Sequence, residues 1–335
     1  MNARAEPLLA VRQLAVRHRV RRWLPFAPPR WLRAVDGVNL NLRAGETVAL
    51  VGESGSGKTT LARALLGLQP VSAGSIRFDG RELAGLDRKA WQPLRSALQM
   101  VFQDPQGSLN PRMRVRDIVA EPLQALRPQL GAEERRQQAE RMLERVGLTA
   151  ELYDLRAKKL SGGQCQRVAI ARALVCEPRL LICDEAVSAL DLNAQLEVLE
   201  LLRDVQRQTG LAILFITHDL GVVRRFSDRV VVMYFGRVME QALTPVLFDT
   251  PRHPYTKALL ASMPGTDPGL RASLLREGPA PDVSVPLSGC LFTSRCPMAD
   301  AECLRRVPNT RSLRDGAAVA CLYIADDWVP PTRMA

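Results

Sequence analysis

The chain has 335 residues, 47% of them hydrophobic and 24% charged, ordinary globular usage that excludes a wholly disordered or fibrous protein. Its length predicts two domains, or one large domain with an appendage. The balance is basic, 46 Lys plus Arg against 35 Asp plus Glu for a net charge of +11. Only five of the basic residues are lysine and the excess is scattered rather than banded, so codon composition is expected to explain most of it and no nucleic-acid partner is expected. The longest pure apolar runs are Leu211–Ile216 and Val230–Phe235, far short of the ~20 residues of a membrane helix. The N-terminus lacks the apolar h-region of a secretory signal. A cytosolic location is expected, where disulfides are rare, and the seven cysteines need another reading.

Residues 8–20 read as a strand, with Leu14, Val16, His18 and Val20 alternating. The basic arm Arg17–Arg22, followed by Trp23, is the local exception to the scattered charge. Residues 21–33, with Pro25, Pro28 and Pro29, read as a loop. Val35–Leu42 alternates again. Thr47–Val51 is a short apolar strand that runs into a glycine-rich loop, and Thr60–Leu68 follows as a helix. A strand, a glycine loop and a helix in that order open a nucleotide-binding α/β unit. Residues 112–160 are rich in Glu, Arg, Gln and Leu with apolar spacing near the helical repeat. Leu180–Cys183, Ala212–Thr217 and Val230–Met233 read as buried parallel strands. An α/β core is therefore interrupted by a helical insert. From about residue 240 the chain becomes proline-rich and holds four cysteines, which predicts a loop-rich C-terminal appendage.

Gly52-Glu53-Ser54-Gly55-Ser56-Gly57-Lys58-Thr59 fits the phosphate-loop pattern G-x-x-x-x-G-K-[ST], with Thr60 beside it. Glycines let the backbone curl so that N–H groups point at phosphate oxygens. The following helix adds its positive end. Lys58 offers a charge to the β- and γ-phosphates, and Thr59 a hydroxyl to Mg²⁺. Leu180-Leu181-Ile182-Cys183 delivers Asp184 and Glu185 at a strand's C-terminal end, where open α/β sheets bind ligands. Asp184 suits Mg²⁺. Glu185 is placed to orient or deprotonate an attacking water.

Leu160-Ser161-Gly162-Gly163-Gln164 resembles the signature motif of ABC-type ATPases. Ser161 caps a helix beginning near Gly162, which makes an anion site. The resemblance implies that this site faces the γ-phosphate held by a second protomer, so that two chains sandwich two ATP molecules. It also matches Gln103 to the family's Gln loop, near Mg²⁺ and the membrane partner. Ser188-Ala189-Leu190-Asp191 matches the loop that crosses between protomers, and His218 the switch histidine on the γ-phosphate. The implied fold is a RecA-like P-loop ABC ATPase domain over 8–240, with a helical signature subdomain at about 105–165, and an extension over 241–335.

Gln103-Asp104-Pro105-Gln106-Gly107-Ser108-Leu109-Asn110-Pro111-Arg112 and His253-Pro254-Tyr255-Thr256-Lys257-Ala258-Leu259 resemble the ATPases of oligopeptide and dipeptide importers, in particular the second ATPase of the pair. That implies ATP hydrolysis powering peptide import. The implied partners are a related second ATPase, two transmembrane permease subunits and an extracytoplasmic substrate-binding protein. The implied place is the cytoplasmic face of the inner membrane, as a peripheral subunit. Nickel or another small solute is an alternative cargo, because related ATPases serve them. A soluble ABC ATPase of translation or nucleic acid is the rival class. Against it stand a single ATPase unit and the short span from Gly52 to Ser161. Intact Glu185 and His218 speak against an ATP-binding scaffold without turnover. Two positions depart from the pattern. Ala186 stands where a proline often follows the catalytic Glu. The residue stacking on adenine falls to His18 by position, with Trp23 or Trp31 as substitutes.

Cys165, Cys176 and Cys183 lie on core segments and read as small buried side chains. Cys290, Cys296, Cys303 and Cys321 crowd the appendage, and in the cytosol such a set favours metal over disulfides. Their spacing is neither a zinc ribbon nor a standard ferredoxin run. Resemblance to importer ATPases, some of which carry a four-iron cluster here, implies a [4Fe-4S] cluster, with zinc as the alternative.

Overall fold

The computed structural model describes residues 6–20, 30–188, 190–263, 274–285 and 287–324. Its strands are β1 (Leu9–Val20), β2 (Arg30–Leu42), β3 (Thr47–Val51), β4 (Ala73–Phe78), β5 (Arg81–Glu82), β6 (Leu98–Val101), β7 (Leu180–Asp184), β8 (Ala212–Ile216), β9 (Arg229–Tyr234), β10 (Arg237–Leu243), β11 (Arg311–Ser312) and β12 (Ala318–Val319). They form two sheets. An antiparallel sheet runs β2-β1-β4-β5, and the larger sheet runs β11-β12-β10-β9-β3-β8-β7-β6. From β9 through β6 every pairing is parallel.

The parallel strands are short and apolar because they are covered on both faces. Every residue of β3, β7 and β8 is buried. One core joins the sheet to the helical insert through Ile118, Leu143, Ile170, Leu181 and Phe215. A second joins its other face to the antiparallel sheet through Leu14, Leu40, Leu50, Leu65 and Ile182. A third lies between β9 and the C-terminal residues, with Val51, Tyr234, Tyr255 and Phe292.

Several elements differ from expectation. The strand predicted from Val35 begins at Arg30, because its first residues are exposed and give no burial signal. The helix predicted over Thr60–Leu68 spans Lys58–Leu65. The insert forms helices Val115–Leu126 and Ala132–Arg145 as expected from their periodicity. The appendage is less separate than its proline content predicts. β12 pairs with β10, so residues past 310 extend the sheet of the core. The short strands carry too few residues for a readable alternation. Trp23 and most of the loop at 21–33 lie outside the described residues, as does Ala189. Among the described residues, no helix is long and apolar enough to cross a membrane.

Candidate functional site

The phosphate loop sits between β3 and the helix Lys58–Leu65 because two glycines let the backbone pass where a side chain cannot. Gly52 has φ +151°, and a Cβ there would lie 2.1 Å from the Met233 carbonyl oxygen. Gly57, at φ +99°, would put one 2.1 Å from the Ala34 carbonyl oxygen. Lys58 Nζ donates to the Gly52 carbonyl at 2.8 Å, the Glu53 carbonyl at 2.9 Å and Ser56 Oγ at 3.2 Å. Burial pushes the Lys58 ammonium down, opposed by the charges of Glu185, Asp184 and Glu53.

Next to it β7 ends in the two carboxylates. Thr59 Oγ1 donates to Asp184 Oδ1 at 3.4 Å. Burial pushes the Asp184 carboxyl up, partly offset by that hydrogen bond. This hydroxyl–carboxylate pair is the hard oxygen donor set that Mg²⁺ prefers. Glu185 takes φ +51°, a left-handed conformation that is costly for a residue with a side chain and is typical of functional sites. Two other strand ends aim at it. Gln103 Nε2 donates to Glu185 Oε2 at 2.9 Å, and His218 Nδ1 lies 3.6 Å from Glu185 Oε1.

One open pocket of about 450 Å³ is lined by His18, Ser54, Gly55, Ser56, Gly57, Lys58, Thr59, Thr60, Gln103 and Glu185. Leu32, Arg33, Ala34, Phe235 and Val283 also line it and were not singled out from the sequence. Phe235, at φ +42°, follows β9 directly and is pinned by the turn at Gly236. Val283 comes from the appendage, and no local signal marks it. Trp31 is not among the lining residues and is 46% exposed, so among the described residues His18 and Phe235 are the aromatic groups at the pocket.

The signature residues stand elsewhere. Ser161 Oγ accepts from Gln164 N–H at 3.3 Å, and Gln164 Oε1 accepts from Ser161 N–H at 3.0 Å, a reciprocal cap on the helix Gly162–Leu174. Gly163 lies against Leu190, and Asp191 caps the helix Leu192–Thr209 through Ala194 N–H at 3.0 Å. None of Ser161, Gly162, Gly163, Gln164 and Asp191 lines the phosphate-loop pocket.

Cys165, Cys176 and Cys183 are buried in the core. Cys290, Cys296, Cys303 and Cys321 do converge, lining one apolar cavity of about 20 Å³ with His253 and Phe292. Yet among the described residues no three His, Cys, Asp or Glu side chains stand close enough to hold a metal ion. The expected zinc alternative, a single ion, is thus not preassembled among the described residues. Burial pushes all four thiols up, that of Cys296 to about 11.

A phosphate loop, a capped signature helix and an acidic strand end in this order and fold define an ATP-binding cassette. The ABC transporter family model matches residues 35–188, and the model of the oligopeptide/dipeptide transporter C-terminal region matches residues 239–303. The chain is 46% identical over 305 residues to the oligopeptide transport ATP-binding protein OppF of Salmonella typhimurium, covering 89% of this chain and 90% of that one. It is 44% identical to OppF of Escherichia coli, covering 95% and 96%. A solved ATP-binding cassette, a dimer in a post-hydrolysis state bound to ADP and phosphate, superposes with a TM-score of 0.65 at 28% identity, covering 70% of this chain and 98% of that one. The chain belongs to the ABC transporter ATP-binding family and, within it, to the oligopeptide transport ATP-binding proteins.

Proposed function

We propose that this chain is the ATPase subunit that powers peptide import. The observation that carries the reading is the convergence of Gln103, Asp184, Glu185 and His218 beside the phosphate loop, from the ends of three adjacent parallel strands. The Gly52–Thr60 backbone and Lys58 bind the phosphates. Glu185, held between Gln103 and His218, orients the attacking water and accepts its proton. His218 and Lys58 stabilise charge on the transferred phosphoryl group. Thr59, Asp184 and Gln103 would hold Mg²⁺, which when bound neutralises phosphate charge.

The cassette works in pairs. Ser161 and Asp191 lie outside the chain's own phosphate-loop pocket, which supports a second, related ATPase completing each site. A cleft of about 680 Å³ runs beside the Gln103 loop, lined by Leu68, Phe102, Asp104 and Arg172 among others, and suits a docking segment of a permease. Two permeases, an extracytoplasmic binding protein and a peripheral place on the cytoplasmic membrane face follow from this reading. Peptide as cargo is supported by the names of the relatives and the matched C-terminal region. Nickel uptake is the outcome that a transport assay would have to exclude.

The test is the assembled complex with Glu185→Gln in this chain. Phosphate release from this chain's site falls about 10²–10⁴-fold while ATP binding persists. Undiminished turnover at that site overturns the assignment, and uptake of labelled nickel in place of peptide overturns the cargo.

The four appendage cysteines are read as ligands of an iron–sulfur cluster. Their convergence on one apolar cavity supports it. A cluster spreads its four thiolates over the corners of a cube, so they need not meet as the ligands of a single zinc ion do. Iron and acid-labile sulfide measured on anaerobically purified protein decide the point. One zinc without sulfide defeats the cluster.

A further inference from the structure

Glu53 belongs to the phosphate loop, but its side chain turns to the appendage. Arg295 Nη1 donates to its two carboxylate oxygens at 3.0 and 2.9 Å. The Glu53 N–H donates to the Tyr255 hydroxyl at 2.9 Å. The Glu53 carbonyl accepts from Lys58 Nζ at 2.9 Å. Every polar group of this residue is therefore in use, two of them by residues C-terminal to position 250 and the third by the phosphate lysine together with Ser56 N–H at 3.1 Å.

The tyrosine anchor is buried. Tyr255 is 1% exposed. Its ring packs on Tyr234 at 4.6 Å and on Phe292 at 5.4 Å, and Tyr234 and Phe292 are themselves 5.4 Å apart. Tyr234 directly precedes Phe235 on the wall of the phosphate-loop pocket. Val283 reaches the same pocket, and its carbonyl accepts from Arg33 N–H at 3.2 Å. The appendage thus meets the pocket at two separate points.

We propose that the C-terminal appendage is a working part of the ATP site, with Arg295 and Tyr255 as positioning residues that hold Glu53 and, through its carbonyl, aim the Lys58 ammonium. This rests on the reading of the pocket as an ATP site. Both residues act through the loop and touch no reacting atom. A loosened Glu53 peptide lets the loop sample other conformations, and the ordering must then be supplied when nucleotide binds. That lowers affinity for ground state and transition state alike, so KM moves and kcat does not. Glu185, held separately by Gln103 with His218 nearby, is untouched.

The test uses the full chain, with MgATP affinity measured by calorimetry and turnover measured in the assembled transporter. Arg295→Met raises the Kd and KM for MgATP about tenfold, as expected for a lost charged hydrogen bond, and kcat stays within about twofold. Arg295→Lys, which keeps the charge without the planar guanidinium, falls between. Tyr255→Phe, which removes one hydroxyl, raises Kd about threefold. Glu53→Gln combined with Arg295→Met is no worse than the weaker single variant, because both break one contact. A lower melting temperature with unchanged Kd and KM in Arg295→Met makes the contact merely structural and overturns the proposal, as do additive losses in the double variant. If Arg295→Met does not fold, an unchanged Kd in Tyr255→Phe overturns it. Failure of the wild-type chain to bind MgATP at all defeats instead the ATP-site reading.

Discussion

At the phosphate-loop pocket the positions are set by backbone. Gly52 and Gly57 pass within 2.1 Å of neighbouring carbonyls once a Cβ is added, and the acidic residues are fixed at the end of a strand buried along its length. At the four-thiol cavity the positions are set by side chains arriving from loops and short elements. Cys290 and Cys296 flank a turn, Cys303 lies on the short helix Ala301–Arg305, and Cys321 follows β12. The first region is ordered by its own chain geometry before any ligand enters. The second gathers four thiols in one place without bringing three of them close enough for a single metal ion. A ligand meets a preorganised cradle in one case and must supply the organising energy in the other.

The largest expected effect breaks the cradle at one of its two tightest glycines. Gly57→Ala meets the Ala34 carbonyl and a left-handed φ together, so the loop must shift, and the Kd for MgATP rises roughly 100-fold or more. Gly55→Ala shares the left-handed φ, at +77°, but meets nothing within 4 Å. Its cost is about 1 kcal/mol, under tenfold in affinity. Equal losses in the two variants, read by calorimetry, would show that conformation alone and not close approach shapes the loop.

A smaller effect comes from the histidine on the cavity wall. His253 is 1% exposed, its Nδ1 accepts from Tyr255 N–H at 3.0 Å, and burial with Lys257 nearby pushes it down to about 3. Unfolded, it titrates near 6.5. Below that pH the unfolded chain takes up a proton that the folded chain refuses. The stability due to neutral His253 is therefore complete above about 6.5 and is lost as pH falls toward 3, by about 1.4 kcal/mol per unit. Urea unfolding at pH 6.5 and 5.5 should show a loss in the wild type about 1 kcal/mol larger than in His253→Asn. Parallel losses would remove the histidine from the acid response.

These effects also mark what was legible beforehand. The phosphate loop, Asp184-Glu185 and the Ser161 cap are contiguous stretches whose local chemistry dictates their local geometry. β3, β7, β8 and β9 were readable because strands covered on both faces must be apolar throughout. Phe235 and Val283 were not readable as pocket walls, because their role depends on where a turn and a distant segment land. Glu53 was read as one member of a loop pattern, and nothing near it announced Arg295, 242 positions on. The cysteine spacing set four residues apart from three, yet spacing cannot say how near their sulfurs come.

The smallest effect tests that division of the cysteines. Cys183 is fully buried on β7, and burial pushes its thiol up to about 12. At neutral pH it holds almost no thiolate, so it neither ligates nor alkylates while the chain is folded. Cys183→Ala removes one small packed group at a cost of about 1 kcal/mol, a fall of roughly 2–4 °C in Tm for a chain of this class. Its iron and sulfide content and ATP turnover should match the wild type within error. Cys303→Ala has the opposite profile, with a comparable packing loss but a collapse of iron content, because a cluster held by four thiolates is destabilised by losing one. Loss of iron on Cys183→Ala would place a ligand in the core. Full iron retention on Cys303→Ala would leave the appendage with four thiols that share a cavity and nothing more.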